Sequence, residues 1–261
     1  MGPFSLSQTL IGLISAVLIG FVSFQFRFLT VGGAIAAAVL GTVIFGLGGL
    51  PWAVPLVIFF LSSSLLSNRR KDVDAGSVFE KTATRDTWQV LANGGIGGLL
   101  VVLQFLDTGN SYYLAYLASV AAVTADTWGT EIGVLTNGKT FLITTFRPVP
   151  RGTSGGVSIL GTAASFSGAL LIALSGWRWL GELSTGRLDQ IVVAAVAGSL
   201  TDSILGAAIQ AQFKCPRCGK VTERVTHCDA PARLFKGVRW LTNDWVNGMC
   251  AGSGALVGAL L

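Results

Sequence analysis

Long apolar runs, broken by short polar stretches, dominate the chain. A membrane-crossing helix takes about 20 mainly apolar residues. Eight runs approach that length, at 8–26, 31–49, 51–67, 88–106, 111–133, 155–176, 188–211 and 241–261. Gly48-Gly49-Leu50-Pro51 separates the second from the third by no more than a tight turn. The pattern predicts an all-α, polytopic membrane protein in which residues 1–261 form a single membrane domain. Its longer connections are polar loops at 68–87, 134–154 and 212–240.

Charge sets the orientation. Placing the N-terminus outside puts sixteen of the eighteen Lys and Arg residues on the inner side, leaving only Arg178 and Arg187 outside. That asymmetry is the positive-inside pattern, and it makes the three loops cytoplasmic. The composition agrees: 51% of residues are hydrophobic and 12% charged, against roughly a quarter charged in soluble domains. The loops account for the net charge of +5, so nucleic acid is not an expected partner. The first residues, MGPFSLS, carry no basic segment, and the first apolar run therefore reads as a span and not a cleaved signal. The 34 glycines suit close helix packing in lipid. Trp52, Trp88, Trp177, Trp179 and Trp240 fall near span ends, where an aromatic belt is expected.

Carboxylates inside spans are costly and mark function. Asp126 and Glu131 lie in TADTWGTEIG, and Asp202 in GSLTDSILGA. Both segments run from outside to inside. Asp126 and Asp202 stand at similar depth, about fourteen residues from the outer end at 1.5 Å per residue; Glu131 is nearer the cytoplasmic surface. A purely structural use of each Asp, bonded to neighbouring Ser and Thr, is the competing reading. Asn93 and Asp244 enter at the same level. In FRPVPRGTSGGVS, Arg147 and Arg151 precede Gly152, Ser154, Gly155 and Gly156, which open the sixth run. Helix-start amides and arginines together suit an anion such as phosphate, although positive-inside arginines before a Gly-rich helix start would look the same. Lys71, Arg85 and Asp86 add candidates from the 68–87 loop. The set offers carboxylates for Mg²⁺, cations for phosphate and apolar walls for a lipid chain.

Cys215-Pro-Arg-Cys218 is followed by His227-Cys228. In a cytoplasmic loop this spacing suits a structural zinc ion better than a disulfide. Adjacent His227 and Cys228 are awkward as joint ligands, and a redox pair or a metal-free turn stays open. His227 is the only histidine, which leaves none elsewhere for acid–base catalysis. Cys250 reads as a small core residue.

In this order, RDTWQVLANGG, ASVAAVTADTWGTEIG, PRGTSGGVS, GSLTDSILGA and CPRCGK…HC resemble the transmembrane protein 19 family, which includes phytyl-phosphate kinases of plants and cyanobacteria. The resemblance extends from about residue 60 onward; the first two runs match only in hydrophobicity. It implies a nucleotide-dependent kinase, using CTP, that converts a prenyl monophosphate to the diphosphate. In photosynthetic organisms that reaction salvages phytol toward tocopherol, in a plasma, inner or thylakoid membrane. On this reading Asp126, Glu131 and Asp202 hold Mg²⁺. Arg85, Arg147, Arg151 and Lys71 neutralise phosphate, the glycines and Ser154 line it, and Asn93 and Asp244 orient groups. An ion-coupled transporter is the rival, since intramembrane Asp residues on repeated helices also serve carriers. A scaffold built on the Cys loop would leave the carboxylates unexplained.

Overall fold

The computed structural model describes residues 5–70, 84–136, 138–181 and 187–261. Lys71 and most of the 68–87 loop lie outside the described residues. Among the described residues there are eight helices: α1 (Leu6–Gln25), α2 (Val31–Gly48), α3 (Leu50–Arg70), α4 (Thr87–Leu106), α5 (Tyr113–Leu135), α6 (Ile159–Trp177), α7 (Leu188–Ala208) and α8 (Asn243–Leu260). Each of the eight apolar runs is a helix, and the chain is all-α in its membrane part. Gly49, at φ 67°, makes the turn between α2 and α3, and the left-handed backbone there suits glycine.

Among the described residues, six helices are long and apolar enough to cross a membrane: α1, α2, α3, α4, α6 and α7. The other two, α5 and α8, carry more polar residues for a physical reason. α5 packs against α3, α4, α6, α7 and α8, and every residue from 115 to 125 is buried. A helix shielded by other helices need not match lipid. Small residues allow the approach: a Cβ on Gly254 of α8 would stand 2.6 Å from Ala122 Cβ and 2.8 Å from Ala118 O of α5. The outer pair, α1 and α2, packs mainly on itself and on α4. Leu6, Ile14, Leu18, Val31, Ile35 and Val39 stand exposed along it, as lipid contact requires.

Trp52 departs from the expected belt. It is 4% exposed, its carbonyl accepts from the Tyr116 hydroxyl, and its ring lies 4.6 Å from that of Tyr116. The tight turn at Gly49 directs the first turn of α3 inward. Trp88 (68%) and Trp240 (62%) are exposed, as the belt predicts.

The start of the sixth helix is also corrected. α6 begins at Ile159, with Ser158 accepting from Gly161 N as its N-cap, so Gly152 to Gly156 precede the helix. A three-stranded sheet takes them instead: β1 (Thr140–Leu142) sits between β2 (Pro148–Val149) and β3 (Gly156–Val157). Gly155, at φ 74°, cannot join a helix, and a Cβ there would lie 2.5 Å from Ala207 N and Ser203 O of α7. The glycine loop is thereby pressed against the C-terminal end of α7.

The connection from α7 to α8 folds as two small sheets. In one, β4 (Gln212–Lys214) pairs with β5 (Val221–Thr222) and β8 (Arg233–Lys236); in the other, β6 (Thr226–His227) pairs with β7 (Ala230–Pro231). Lys236 Nζ donates to Ala207 O, a cation at a helix C-terminus as the dipole favours.

Candidate active site

A polar cavity of about 210 Å³ opens where α3, α5 and α7 end and α4, α6 and α8 begin. Asp126, Glu131, Asp202, Arg85, Asn93, Gly152, Ser154, Gly155 and Gly156 all line it. Residues separated by more than a hundred positions thus meet in one chamber. Arg147 and Asp244 are outside this lining. Arg147 is exposed on the β1–β2 turn. Arg151 Nη1 donates to Thr136 O at 3.1 Å and Val134 O at 3.5 Å, capping the last carbonyls of α5. Asp86 is the N-cap of α4 and forms a capping box with Gln89.

Arg85 is held in place by its own backbone. Thr30 N donates to Arg85 O, and Arg85 N donates to Phe28 O, each at 2.9 Å. These bonds dock the entry to α4 on the α1–α2 connection. The guanidinium is buried, 5.4 Å from the Phe59 ring centre and 5.9 Å from that of Phe60, and Nη1 donates to Ser64 Oγ at 3.1 Å. An intramembrane cation placed between aromatic faces and a carboxylate-lined cavity is costly to keep without a function.

Glu131 accepts from Ser67 Oγ at 2.6 Å. Asp126 lies within electrostatic reach of Glu131 and Asp202, and Asp202 also of Glu223. Asp202 Oδ2 is buried and has no hydrogen-bond partner among the described residues. A buried carboxylate oxygen in that state asks for a cation or a donor. Among the described residues these carboxylates do not gather three ligand atoms around one point as the Cys/His group does. Mg²⁺ needs only one or two carboxylates, the rest of its shell being water or substrate phosphate, and the unpartnered Asp202 Oδ2 is the observation that fits such an ion.

Two cavity groups, Glu223 and Gln210, carried no signal in their local sequence. Glu223 follows β5 and is buried. Gln210 Nε2 donates to Glu223 Oε1 at 2.9 Å, and Ser154 Oγ donates to Gln210 Oε1 at 3.1 Å. This chain ties the Cys-rich connection to the glycine loop across the cavity. Ser67 was legible in part, because Ser63, Ser64 and Ser67 recur at helical spacing on α3 and are all buried.

Cys215, Cys218, His227 and Cys228 converge, their ligand atoms within 4.8 Å of one another. The adjacency of His227 and Cys228, awkward in an extended chain, is resolved by the backbone. Cys228 and Asp229 take φ of 53° and 52°, which turns the Cys228 thiol back so that its Sγ lies 3.2 Å from His227 Nδ1. Cys218 Sγ is 3.5 Å from the same nitrogen. The Cys215 thiol is lowered to about 6, chiefly by the Cys218 backbone N–H. The Cys228 thiol is raised, chiefly by hydrogen bonding with Cys218. Four soft ligands of this kind can hold a metal ion such as zinc.

A second, larger cavity of about 920 Å³ lies at the opposite end, lined by Gln104, Asn110, Tyr112, Tyr113 and Arg187 among others. On α5 the buried stretch 116–125 separates it from Asp126, about 16 Å of packed helix.

The fold and cavity define an integral membrane helical bundle with a one-sided, carboxylate-bearing chamber. The chain belongs to the integral membrane protein DUF92 family, whose model matches residues 14–255. It is 33% identical to Protein PGR of Arabidopsis thaliana, over 92% of this chain and 91% of that protein. It is also 33% identical to the uncharacterized membrane protein MJ0933 of Methanocaldococcus jannaschii, over 68% of this chain and 73% of that one. It is 26% identical to Protein VTE6, chloroplastic, of Arabidopsis thaliana, over 89% of this chain and 65% of that protein. No solved structure matches.

Proposed function

We propose that the chain is a membrane prenyl-phosphate kinase that transfers a phosphoryl group from a nucleoside triphosphate to a prenyl monophosphate. The observation that carries the reading is the Asp126–Asp202 pair, with its buried Oδ2 lacking a partner among the described residues, facing a cavity that also holds the Arg85 guanidinium and the 152–156 glycine loop. Carboxylates alone would repel a phosphate. Carboxylates with a cation-requiring oxygen and a fixed arginine suit phosphates that arrive with a divalent ion. The ordered motifs, which resemble those of phytyl-phosphate kinases, support the same class.

Mg²⁺, when bound, would neutralise phosphate charge and lower the barrier to transfer. Asp126 and Asp202 would hold it, with Glu131 kept in orientation by Ser67. Arg85 neutralises the acceptor monophosphate, and Asn93 orients it. An oxygen of the monoester attacks the γ-phosphorus, the bond to the β-phosphate oxygen breaks, and a nucleoside diphosphate leaves. A monoester is already largely ionised near neutral pH, with a second pKa of about 6, so no strong base is needed. CTP is the donor in this proposal. The Cys/His group would hold zinc and keep Glu223 folded over the cavity, and this end of the bundle would face the cytoplasm.

The test is direct. Purified protein in detergent is offered phytyl or geranylgeranyl monophosphate with Mg²⁺ and each labelled nucleoside triphosphate in turn. Labelled prenyl diphosphate with one donor is expected. Folded protein that makes no product with any pair would sink the proposal.

A further inference from the structure

A third cavity, of about 330 Å³, lies among α1, α2, α3 and α4. Its walls are large apolar side chains, including Leu40, Ile44, Leu56 and Val57. Close-packed proteins contain few voids larger than a water molecule, and apolar voids stay dry and accept apolar guests. Apart from Ser15, the polar side chains on this wall gather at one end. Arg85, Gln89 and Asn93 line this groove and the carboxylate cavity alike. From Leu50 to Phe60 the groove follows α3 for about 15 Å of helix rise. It begins beside the α2–α3 turn and ends where the Arg85 guanidinium lies over Phe59 and Phe60.

We propose that this groove receives the hydrocarbon tail of an amphipathic phosphate whose headgroup enters the carboxylate cavity past Arg85. The inference rests on the kinase reading for the chemistry at the headgroup, but the occupancy of the groove is a separate claim. Charge complementarity selects the occupant. The apolar channel ends at a cation, so its best guest has a long apolar chain and one anionic end. α1 to α4 then form the tail half of the site, and α5 to α8, with Ser67, Arg85 and Asn93 reaching in from α3, the entry to α4 and α4, the chemical half.

The experiment uses two photoreactive probes with the same prenyl tail, one ending in a monophosphate and one in the free alcohol. Adducts on the whole protein in detergent are mapped by peptide mass spectrometry. The phosphate probe is expected to label 37–60, to be displaced by unlabelled phytyl monophosphate, and to label several-fold less in Arg85→Gln. Equal labelling by the alcohol would mean ordinary lipid fills the groove and would overturn the proposal. So would adducts confined to α6 and α7. Ala37→Phe and Val57→Phe, which fill the groove, should lower kcat/KM for phytyl monophosphate about tenfold or more, the scale on which apolar pockets discriminate. Dimethylallyl monophosphate should be affected much less. A uniform loss across tail lengths would count against the groove. Phosphate-dependent labelling of 37–60 by a protein without turnover would refute the kinase and leave the groove standing; turnover with labelling elsewhere would do the reverse.

Discussion

The bundle has a cavity at each end, and the larger one is the less informative. At the 920 Å³ end the polar groups answer one another locally. Gln104 bonds to Asn110 O and Tyr112 N, the Tyr112 hydroxyl donates to Asp107, and the Tyr113 hydroxyl donates to Pro51 O. At the 210 Å³ end, Asp202 keeps a buried oxygen without a partner among the described residues, and the Arg85 guanidinium lies over the Phe59 and Phe60 rings. Volume measures how loosely helices splay. A buried oxygen left without a partner measures what a site is prepared to bind, because the fold tolerates its cost only where a ligand relieves it.

The strongest way to break this contrast is to neutralise the charged end. Asp202→Asn and Asp126→Asn should each lower phosphoryl transfer by roughly 10²–10³, the scale seen when one preorganised charge-stabilising group is lost. Thermal melting should stay level or rise, since like charges no longer oppose each other. Unchanged turnover would remove either residue from the site. Arg85→Lys keeps the charge but loses the planar contacts with Phe59 and Phe60; about a tenfold fall in kcat/KM for the prenyl monophosphate is expected. Full activity in this variant would reduce Arg85 to a packing role.

A smaller effect should follow from the Cys/His group. Chelation, or Cys215→Ser, should release bound metal and lower activity by roughly tenfold, as when an outer-shell support is lost, because Glu223 would no longer be held against Gln210. Metal content by mass spectrometry, read beside activity, would expose a metal-free protein with undiminished turnover. The large cavity should respond least. Gln104→Ala removes two hydrogen bonds and should cost about 1 kcal/mol of stability, with activity within about twofold; a collapse of activity would invert the comparison. The faintest signal is a pH effect there. Asp107 is held below the usual carboxylate range, chiefly by the Asn110 side chain and then by Tyr112. A depressed folded pKa gives stability present above the unfolded value of 3.8 and lost as pH falls through the folded one. Asp107→Asn should erase a small loss of melting temperature below about pH 4.

The eight helices were legible because lipid imposes a crude, length-dependent rule that local sequence obeys. Asp126, Glu131 and Asp202 were legible for the same reason, as exceptions to it. Glu223 was not, because only the fold of the 212–240 connection carries it to the cavity, and Gln210, just past the end of α7, gains its meaning only from Ser154 and Glu223 beside it. His227 with Cys228 looked incompatible because left-handed backbone at two non-glycine residues is rare. The glycines of 152–156 suggested a helix start; their partners in β1 and α7 made them a loop. Trp52 shows the converse error, since position near a helix end does not say which way a ring faces.

The site also has a history within each molecule. Its groups come from α3, α4, α5, α6, α7 and α8, which enter the bilayer at different times during synthesis. Asp126 and Asp202 arrive on separate helices, and α8, which contributes Asn243 and Asn247, is inserted after both. Until it docks, two carboxylates are without part of their eventual surroundings. A half-made chain therefore carries a chemical sign of incompleteness, two carboxylates in a chamber still missing a wall, that disappears when the bundle closes.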